Sequence, residues 1–255
     1  MPVKIRMEET ILYKYLDVNG GLAMLQNHNL QFTKATCLND PFDCHPALFD
    51  YSDPPVYISE DGVEWPPSDF LSDKAELDMM NLRDSTWICS LSKVNNSLLM
   101  WSYYCNHKGI CIGLDMQKIR PVVSNLLCSP LIGALELEVK YEEIRKKPNY
   151  FTDKKGYWDY QVSTKAVEWS HEKEVRLVLL NPSVQRRLES RGKEGQIYAV
   201  LDKKCFDSVY LGNKIDEKRK NEVIKVARNL NPEIKIYQMT IDPEAFKLKE
   251  EMIVD

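Results

Sequence analysis

Apolar positions recur along this chain in short runs, most of which have the length of β-strands. The clearest pattern lies between Trp87 and Asp115, where a short apolar run, a helical stretch and a second apolar run follow one another. Residues 110–114 are almost continuously apolar, which is typical of a strand buried on both faces. Between the two runs, Asn95 or Asn96 can cap a helix and Gly109 can supply the left-handed residue at its end. The pattern therefore predicts a strand–helix–strand unit at the centre of the core.

Further alternating or apolar runs predict strands on both sides of this unit. They lie at residues 11–16, 29–33, 133–141, 174–180, 197–201, 208–211 and 234–240. Helices are predicted at residues 22–27, 75–82, 116–123, 157–169 and 216–230, and the last has the best amphipathic pattern. Gly20 and Gly21 are expected to break the chain before the first helix.

Residues 46–72 are rich in Pro, Asp, Ser and aromatic residues, a composition typical of an irregular loop. Because long loops are often functional, this segment is a candidate lid. No internal repeat and no clear linker interrupts the rest of the pattern. We therefore predict a single α+β domain over residues 1–255.

Composition and charge narrow the classes of function. A chain of 255 residues can bury one substantial core. Its net charge of -4 gives no support to general nucleic-acid binding, although a local basic patch stays open. No apolar run approaches the roughly 20 residues of a membrane helix, and the N-terminus lacks the apolar core of a signal peptide. We expect no membrane association and a cytoplasmic location.

The cysteines indicate reduced thiols. They number seven, which is odd, and no C-x-x-C pair occurs. Cys44 and His45 are neighbours that could ligate a metal ion. No second pair at zinc spacing accompanies them, so no metal site is expected.

A dense group of polar residues surrounds Glu172, Glu174 and Arg176. On a strand, residues at this alternating spacing would project from one face. Two close carboxylates raise one pKa, whereas the guanidinium lowers both. Such a cluster could orient a substrate hydroxyl and stabilise developing positive charge, which makes these three residues the candidate catalytic groups. The alternative is a solvated strand edge with one surface salt bridge, worth less than about 1 kcal/mol.

Two further segments carry candidate binding residues. Tyr13, Lys14 and Tyr15 could stack on or hydrogen-bond a planar ligand, or the two aromatic rings could simply cover a sheet. Asn39 and Asp40 could hold a ribose or a phosphate-bearing ligand, or they could form a self-satisfied turn.

The strand–helix–strand unit adds four more candidate binding residues. Ser90 and Ser92 alternate on a strand and could bond a ligand amide, or they could be small residues packed under a helix. Trp101 and Tyr104 are candidates for stacking on a ligand, with burial in the core as the alternative.

Taken together, these segments resemble the bacterial "domain of unknown function 2971" family. The motifs that carry the resemblance are LYKY at 12–15, LQFT at 30–33, LNDPFD at 38–43, CSLS at 89–92, LMWSYY at 99–104, HKG at 107–109 and W-x-x-E-x-E-x-R at 169–176. Their order and spacing cover about residues 11–180. Tyr103 stands where such proteins often carry a histidine. The family name itself assigns no function.

The order of these motifs also resembles, more weakly, the ADP-ribosyltransferases. That resemblance implies a mixed, mostly antiparallel split β-sheet flanked by short helices, with NAD or a related nucleotide as substrate. It implies that Glu174, helped by Glu172, orients the nicotinamide ribose and stabilises an oxocarbenium-like transition state. Lys14 stands where a histidine or arginine would be expected. The remaining implied roles are nicotinamide stacking by Tyr13, Tyr104 or Trp101 and support of the pocket by Ser90 or Ser92.

Three functions follow as hypotheses. The first is a bacterial enzyme that splits the glycosidic bond of NAD and transfers ADP-ribose to a target, which could be a protein, in phage defence or a toxin-like role. The second is a non-catalytic module that senses a nucleotide or other small molecule, or binds a partner protein. The third is a metal-dependent nuclease, which would need Asp40, Glu172 and Glu174 in one place.

Overall fold

The computed structural model of this chain describes residues 10–65, 68–124, 135–153, 157–180, 188–189 and 194–254. The α-helices are α1 (Val18–Asn27), α2 (Asp69–Ser85), α3 (Leu98–Cys105), α4 (Met116–Ser124), α5 (Tyr157–Ser163) and α6 (Glu217–Leu230). The strands are β1 (Ile11–Leu16), β2 (Asn29–Lys34), β3 (Tyr57–Ile58), β4 (Glu64–Trp65), β5 (Thr86–Ser92), β6 (Ile110–Asp115), β7 (Leu135–Glu138), β8 (Lys140–Glu142), β9 (Thr164–Ala166), β10 (Glu174–Leu180), β11 (Leu188–Glu189), β12 (Gln196–Val200), β13 (Phe206–Leu211), β14 (Lys235–Ile241) and β15 (Leu248–Met252). No helix within these ranges is long and apolar enough to cross a membrane.

One large sheet organises the fold. Its strand order is β11-β12-β2-β5-β1-β6-β13-β14-β15, and β10 pairs with both β5 and β7. Within this sheet β13 and β14 are parallel, and the other strand pairs in the described residues are antiparallel. The predicted α+β class, with a mixed and mostly antiparallel sheet, is confirmed.

The sheet splits along one edge of β5. On its other edge β5 pairs with β10 over its whole length. On the split edge, Tyr13 of β1 lies opposite Ser92, whereas β2 pairs with the opposite end of β5, at residues 87–88. In the gap between β1 and β2, Lys14 Nζ donates a hydrogen bond to the Ser90 carbonyl oxygen (2.8 Å). Lys14 therefore satisfies a backbone acceptor that the split leaves without a strand partner.

The two faces of the sheet bury different residues. One face holds the main aliphatic core, to which β10 contributes Val175, Leu177 and Leu179 and against which α1 and α6 pack. The opposite face is covered near β1 by α3, through Trp101 and Met100. Residues 110–114 of β6 are buried on both faces, as their continuous apolar pattern predicts.

The expected break at Gly20 and Gly21 is wrong, because both residues lie inside α1. The Asp17 side chain caps this helix by accepting a hydrogen bond from the Gly20 N–H (2.7 Å). A Cβ atom on Gly21 would lie 2.2 Å from Ile110 Cδ1. The second glycine thus allows close packing of α1 on β6.

The ends of α3 also differ from the expected ones. Ser97 is the cap in place of Asn95 or Asn96, and its Oγ accepts a hydrogen bond from the Met100 N–H (3.4 Å). The left-handed residues at the exit are Asn106 and His107, in place of Gly109. Gly109 is required for a different reason, since a Cβ atom there would lie 2.2 Å from the Leu16 carbonyl oxygen.

Three segment predictions are wrong in extent. The expected helix at 157–169 is α5 followed by strand β9 and a 3₁₀ turn, Val167–Glu172. The expected loop at 46–72 contains a 3₁₀ turn, Pro46–Leu48, the β3–β4 hairpin and the start of α2, while residues 66–67 lie outside the described ranges. The strand predicted at 133–141 is divided between β7 and β8, and residues 133–134 are likewise outside.

Candidate functional site

Three adjacent strands bring the polar motifs onto one face of the sheet. Tyr13 of β1 lies opposite Ser92 of β5, and Ser92 lies opposite Glu174 of β10. Side chains at directly opposed positions project from the same face of a sheet. In the next row on this face, Ser90 lies opposite Arg176. Strand pairing therefore aligns segments that are far apart in the sequence.

A small cavity of about 60 Å³ lies at this row. The predicted site residues that line it are Tyr13, Lys14, Tyr15, Asn39, Ser90, Ser92, Tyr104, Glu172 and Glu174. The other lining residues are Leu38, Asp43, Leu91, Met100 and Lys165. A volume of this size holds a few water molecules. A larger ligand group must displace side chains at the rim, where Tyr104 is 38% exposed.

The guanidinium of Arg176 forms the base of the site. It binds Asp43 through Nη1–Oδ1 (2.7 Å) and Nη2–Oδ2 (2.8 Å), and it binds Glu174 through Nε–Oε1 (2.8 Å) and Nη2–Oε2 (3.0 Å). Nη1 also donates to the Val162 carbonyl oxygen (2.9 Å). Each guanidinium donor therefore has an oxygen acceptor, a geometry that suits arginine and not lysine.

Lys165 supplies a second buried cation. Its Nζ lies 2.6 Å from Glu172 Oε2, 3.3 Å from Glu174 Oε2 and 3.9 Å from Asp43 Oδ2. The five charged side chains of this group are all buried. The interpretation as a solvated strand edge is therefore wrong. When all five are ionised, three carboxylates and two cations leave one net negative charge beside the cavity.

Local backbone geometry places the two glutamates. Glu172 ends the 3₁₀ turn and does not lie on the strand, contrary to the predicted alternation. Lys173 adopts a left-handed conformation (φ 43°), after which β10 starts at Glu174. The Ser92 hydroxyl donates to the Glu172 carbonyl oxygen (2.7 Å), and the Glu174 N–H donates to the Tyr141 hydroxyl (2.8 Å). Both carboxylates thus converge on the cavity.

Tyr104 connects the buried charges to the rim. Its hydroxyl donates to Glu172 Oε1 (2.5 Å) and also lies within hydrogen-bonding reach of the Asn39 side chain. Burial, reinforced by the negative charge of Glu172, raises the pKa of Tyr104 above its ordinary value. The hydroxyl therefore stays protonated and acts as a donor at neutral pH.

Glu174 is held in its ionised form. Burial opposes ionisation, but Arg176 and Lys165 outweigh it and lower the pKa of Glu174 to about 2. Arg176 contributes both its charge and direct hydrogen bonds, and Ser90 adds a further hydrogen bond. A fixed negative charge therefore faces the cavity at neutral pH.

This lowered pKa predicts acid-sensitive stability. The unfolded carboxyl titrates near its ordinary value of 4.5 and the folded one near 2, so the unfolded state binds more protons between these values. We expect the Glu174 contribution to be fully present above pH 4.5 and to disappear as the pH falls towards 2. Urea unfolding at a series of pH values should give a steeper acid loss for the wild type than for Glu174→Gln. If the free energy of unfolding fell equally steeply with pH in the wild type and in Glu174→Gln, the assignment of the acid loss to Glu174 would be contradicted. The control is Glu138→Gln, which changes an exposed glutamate and should keep the wild-type pH dependence.

Three of the predicted site residues do not line the cavity. Trp101 is fully buried, its Nε1 donates to the Asn95 carbonyl oxygen (2.7 Å), and its ring meets the Tyr15 ring edge-on at 5.4 Å. Asp40 is buried in its own turn, where Oδ1 accepts from the Phe42 N–H (2.9 Å). Arg176 lies behind Glu174, with which it pairs. Trp101 is thus a buried core residue, which was the alternative to a role in stacking on a ligand.

The sequence pattern assigned no role to Asp43, Lys165 or Tyr141. One signal for Asp43 was available, because every residue of β10 after Glu174 is apolar except Arg176. A cation buried there needs an anionic partner. Nothing in the local pattern identified which carboxylate that would be.

The carboxylates do not form a metal-binding arrangement. Within the described ranges, no three His, Cys, Asp or Glu side chains are placed to hold a metal ion. Glu172 and Glu174 are instead paired with Lys165 and Arg176, and Asp40 lies outside the cavity lining.

Comparisons with known proteins bear on part of the site. Residues 100–177 match the model of a family described as "Protein of unknown function (DUF2971)". This match supports the resemblance to that family, and it includes Tyr104, Lys165 and the three candidate catalytic residues. No curated protein matches the chain, and no solved structure matches it. The resemblance to ADP-ribosyltransferases receives no support from these comparisons.

Proposed function

We propose that the cavity binds NAD or a related nucleotide and that the protein cleaves its glycosidic bond, transferring ADP-ribose to a target. The observation that carries this proposal is the row formed by Tyr13, Ser92 and Glu174 across three adjacent strands at the split of the sheet. The resemblance to ADP-ribosyltransferases implies the same set of residue types at such a split. That resemblance is also the sole basis for proposing a role in phage defence or a toxin-like role.

The charges beside the cavity suit this reaction. When the bond between nicotinamide and ribose breaks, nicotinamide leaves with the bonding electrons and positive charge develops on the ribose. The carboxylate of Glu174 is ionised and fixed, so it can stabilise that charge without reorganisation. An acceptor nucleophile then bonds to the anomeric carbon and releases its proton to solvent.

We assign the direct ligand contact to Glu172. Its Oε1 is bonded to the hydroxyl of Tyr104, which lies at the rim, whereas both oxygens of Glu174 are bonded to Arg176. A ribose hydroxyl can replace the Tyr104 hydroxyl without leaving a buried cation unpaired. Movement of Tyr104 would also enlarge the cavity, and the rings of Tyr13 and Tyr104 are the candidates for stacking on nicotinamide.

Nicotinamide release from NAD tests the proposal. We expect release by the wild type and a loss of about 100-fold or more in Glu172→Gln, the scale typical of removing one electrostatic group from an active site. Tyr104→Phe should change the Michaelis constant for NAD. The matched control is Glu138→Gln, because exposed Glu138 pairs with Lys93 on the same sheet. Unchanged release in Glu172→Gln would remove this glutamate from the mechanism.

A second candidate is a non-catalytic nucleotide sensor. The observation that favours it is the complete pairing of Glu174, whose oxygens are bonded to Arg176 and Lys165. A sensor predicts that NAD or ADP-ribose stabilises the fold without forming a product. Ligand at about 100 times its dissociation constant should add about 2.7 kcal/mol to the free energy of unfolding. Absence of both stabilisation and nicotinamide release would overturn the enzyme and the sensor together.

A further inference from the structure

The outer face of α2 carries an exposed apolar stripe. Phe70, Leu77 and Met80 are 71%, 54% and 53% exposed. Spacings of seven and three residues place their side chains on one face of a helix. The opposite face of α2, which includes Met79, packs on Leu48 and other aromatic and aliphatic side chains. The stripe therefore points away from the core, and large apolar side chains aligned in this way mark an interaction surface more often than isolated ones do.

Acidic side chains accompany the stripe. Asp69 and Asp73 are exposed beside Phe70, and neither forms an ion pair within the described part of the chain. The sequence from 50 to 84 contains ten acidic and two basic residues, although the whole chain has a net charge of only -4. Within α2 itself, five acidic and two basic residues leave a net charge of -3, and this excess of negative charge favours a cationic partner.

The combination of apolar spacing and charge restricts the occupant. A second copy of the same helix would bring another net negative charge against that of α2, which is unfavourable. Anionic lipid and nucleic acid would be repelled for the same reason. A helix with its own apolar stripe and lysine or arginine at the flanks would bury Phe70 and Leu77 and pair with the acidic side chains.

We propose that the outer face of α2 is a docking surface for a basic amphipathic helix of a partner protein. Phe70, Leu77 and Met80 supply the apolar anchors, and Asp69 and Asp73 select the charge of the partner. The surface consists of residues other than those lining the cavity, so the proposal does not depend on the nucleotide chemistry proposed above.

A fluorescent helical peptide of leucine and lysine tests the surface, with a leucine–glutamate peptide of the same pattern as its counterpart. Anisotropy titrations with the full chain should show binding of the lysine peptide alone. Phe70→Ser combined with Leu77→Ser should weaken that binding at least tenfold. Asp69→Asn combined with Asp73→Asn should weaken it and flatten its dependence on salt concentration. All four substitutions lie at exposed positions, and circular dichroism should show unchanged helix content.

The matched control is Phe246→Ser, because Phe246 is a fully exposed phenylalanine outside α2. This variant should bind the lysine peptide with wild-type affinity. Equal losses in Phe246→Ser and in the Phe70→Ser, Leu77→Ser variant would overturn the proposal. Undiminished binding in the latter variant would overturn it as well, since the peptide would then respond to charge alone. A wild-type dimer that Phe70→Ser dissociates would assign the surface to a second copy and would also contradict the proposal.

Discussion

Replacement of Arg176 by leucine should lower the free energy of unfolding by about 3–5 kcal/mol. The reason is that Asp43 and Glu174 would remain buried without the guanidinium that pairs with both. Lys165 could compensate only in part, because it already lies 2.6 Å from Glu172. Urea denaturation at neutral pH measures the loss.

Two further variants test whether the loss of stability in Arg176→Leu comes from the unpaired buried carboxylates. Arg219→Leu removes an arginine whose ion pair with Glu222 is exposed, so it should change the free energy of unfolding by no more than about 1 kcal/mol. Adding Glu174→Gln to Arg176→Leu should restore part of the lost stability, because it removes one of the unpaired charges. If Arg176→Leu is as mild as Arg219→Leu, the buried network does not stabilise the fold as described.

Replacement of Trp101 by alanine should destabilise the fold by about 3–5 kcal/mol. The indole is fully buried on β1, meets Tyr15 edge-on and donates a hydrogen bond to the Asn95 carbonyl oxygen. Truncation would leave a cavity and an unsatisfied backbone acceptor. The midpoint of urea unfolding measures the effect.

The neighbouring aromatic residue provides the control for Trp101. Tyr103 lies on the same helix but is exposed, so Tyr103→Ala should change the free energy of unfolding by about 0.5 kcal/mol or less. If Trp101→Ala instead kept its stability and lost only nucleotide binding, Trp101 would be a ligand-stacking residue and its packing role would be refuted.

The sequence predicted the strands that pack on both faces, because their apolar pattern directly reflects burial. Residues 110–114 and 174–180 are such strands. Residues 164–166 were predicted as helix and form β9 instead, since their partner β8 lies more than twenty residues away. Pairing between strands that are far apart in the sequence outweighs local helical propensity, and residues 164–166 by themselves do not indicate it.

The candidate site was partly predictable for a related reason. Ser90 with Ser92 and Glu174 with Arg176 are spaced two apart, so each pair shares a face once its strand is recognised. Asp43 reaches Arg176 across 133 positions of sequence. Lys165 lies in a segment whose helical prediction was wrong. Contacts that depend on the tertiary path of the chain, such as those of Asp43 and Lys165, could therefore not be predicted from the local sequence.

The pairing of the strands also limits whether residues 100–177, the segment that matches the family model, could be moved into another protein on their own. Residues 100–177 contain β6 and part of β10, yet β1 and β13, the neighbours of β6, lie outside the segment, as does β5, the longest partner of β10. An excised segment would expose unpaired strand edges, which promote aggregation. It would also separate Arg176 from Asp43. A gene fusion that moves residues 100–177 into another protein would therefore also have to include β1, β5 and the turn that holds Asp43. The segment that must be transferred is longer than the segment that matches the family model.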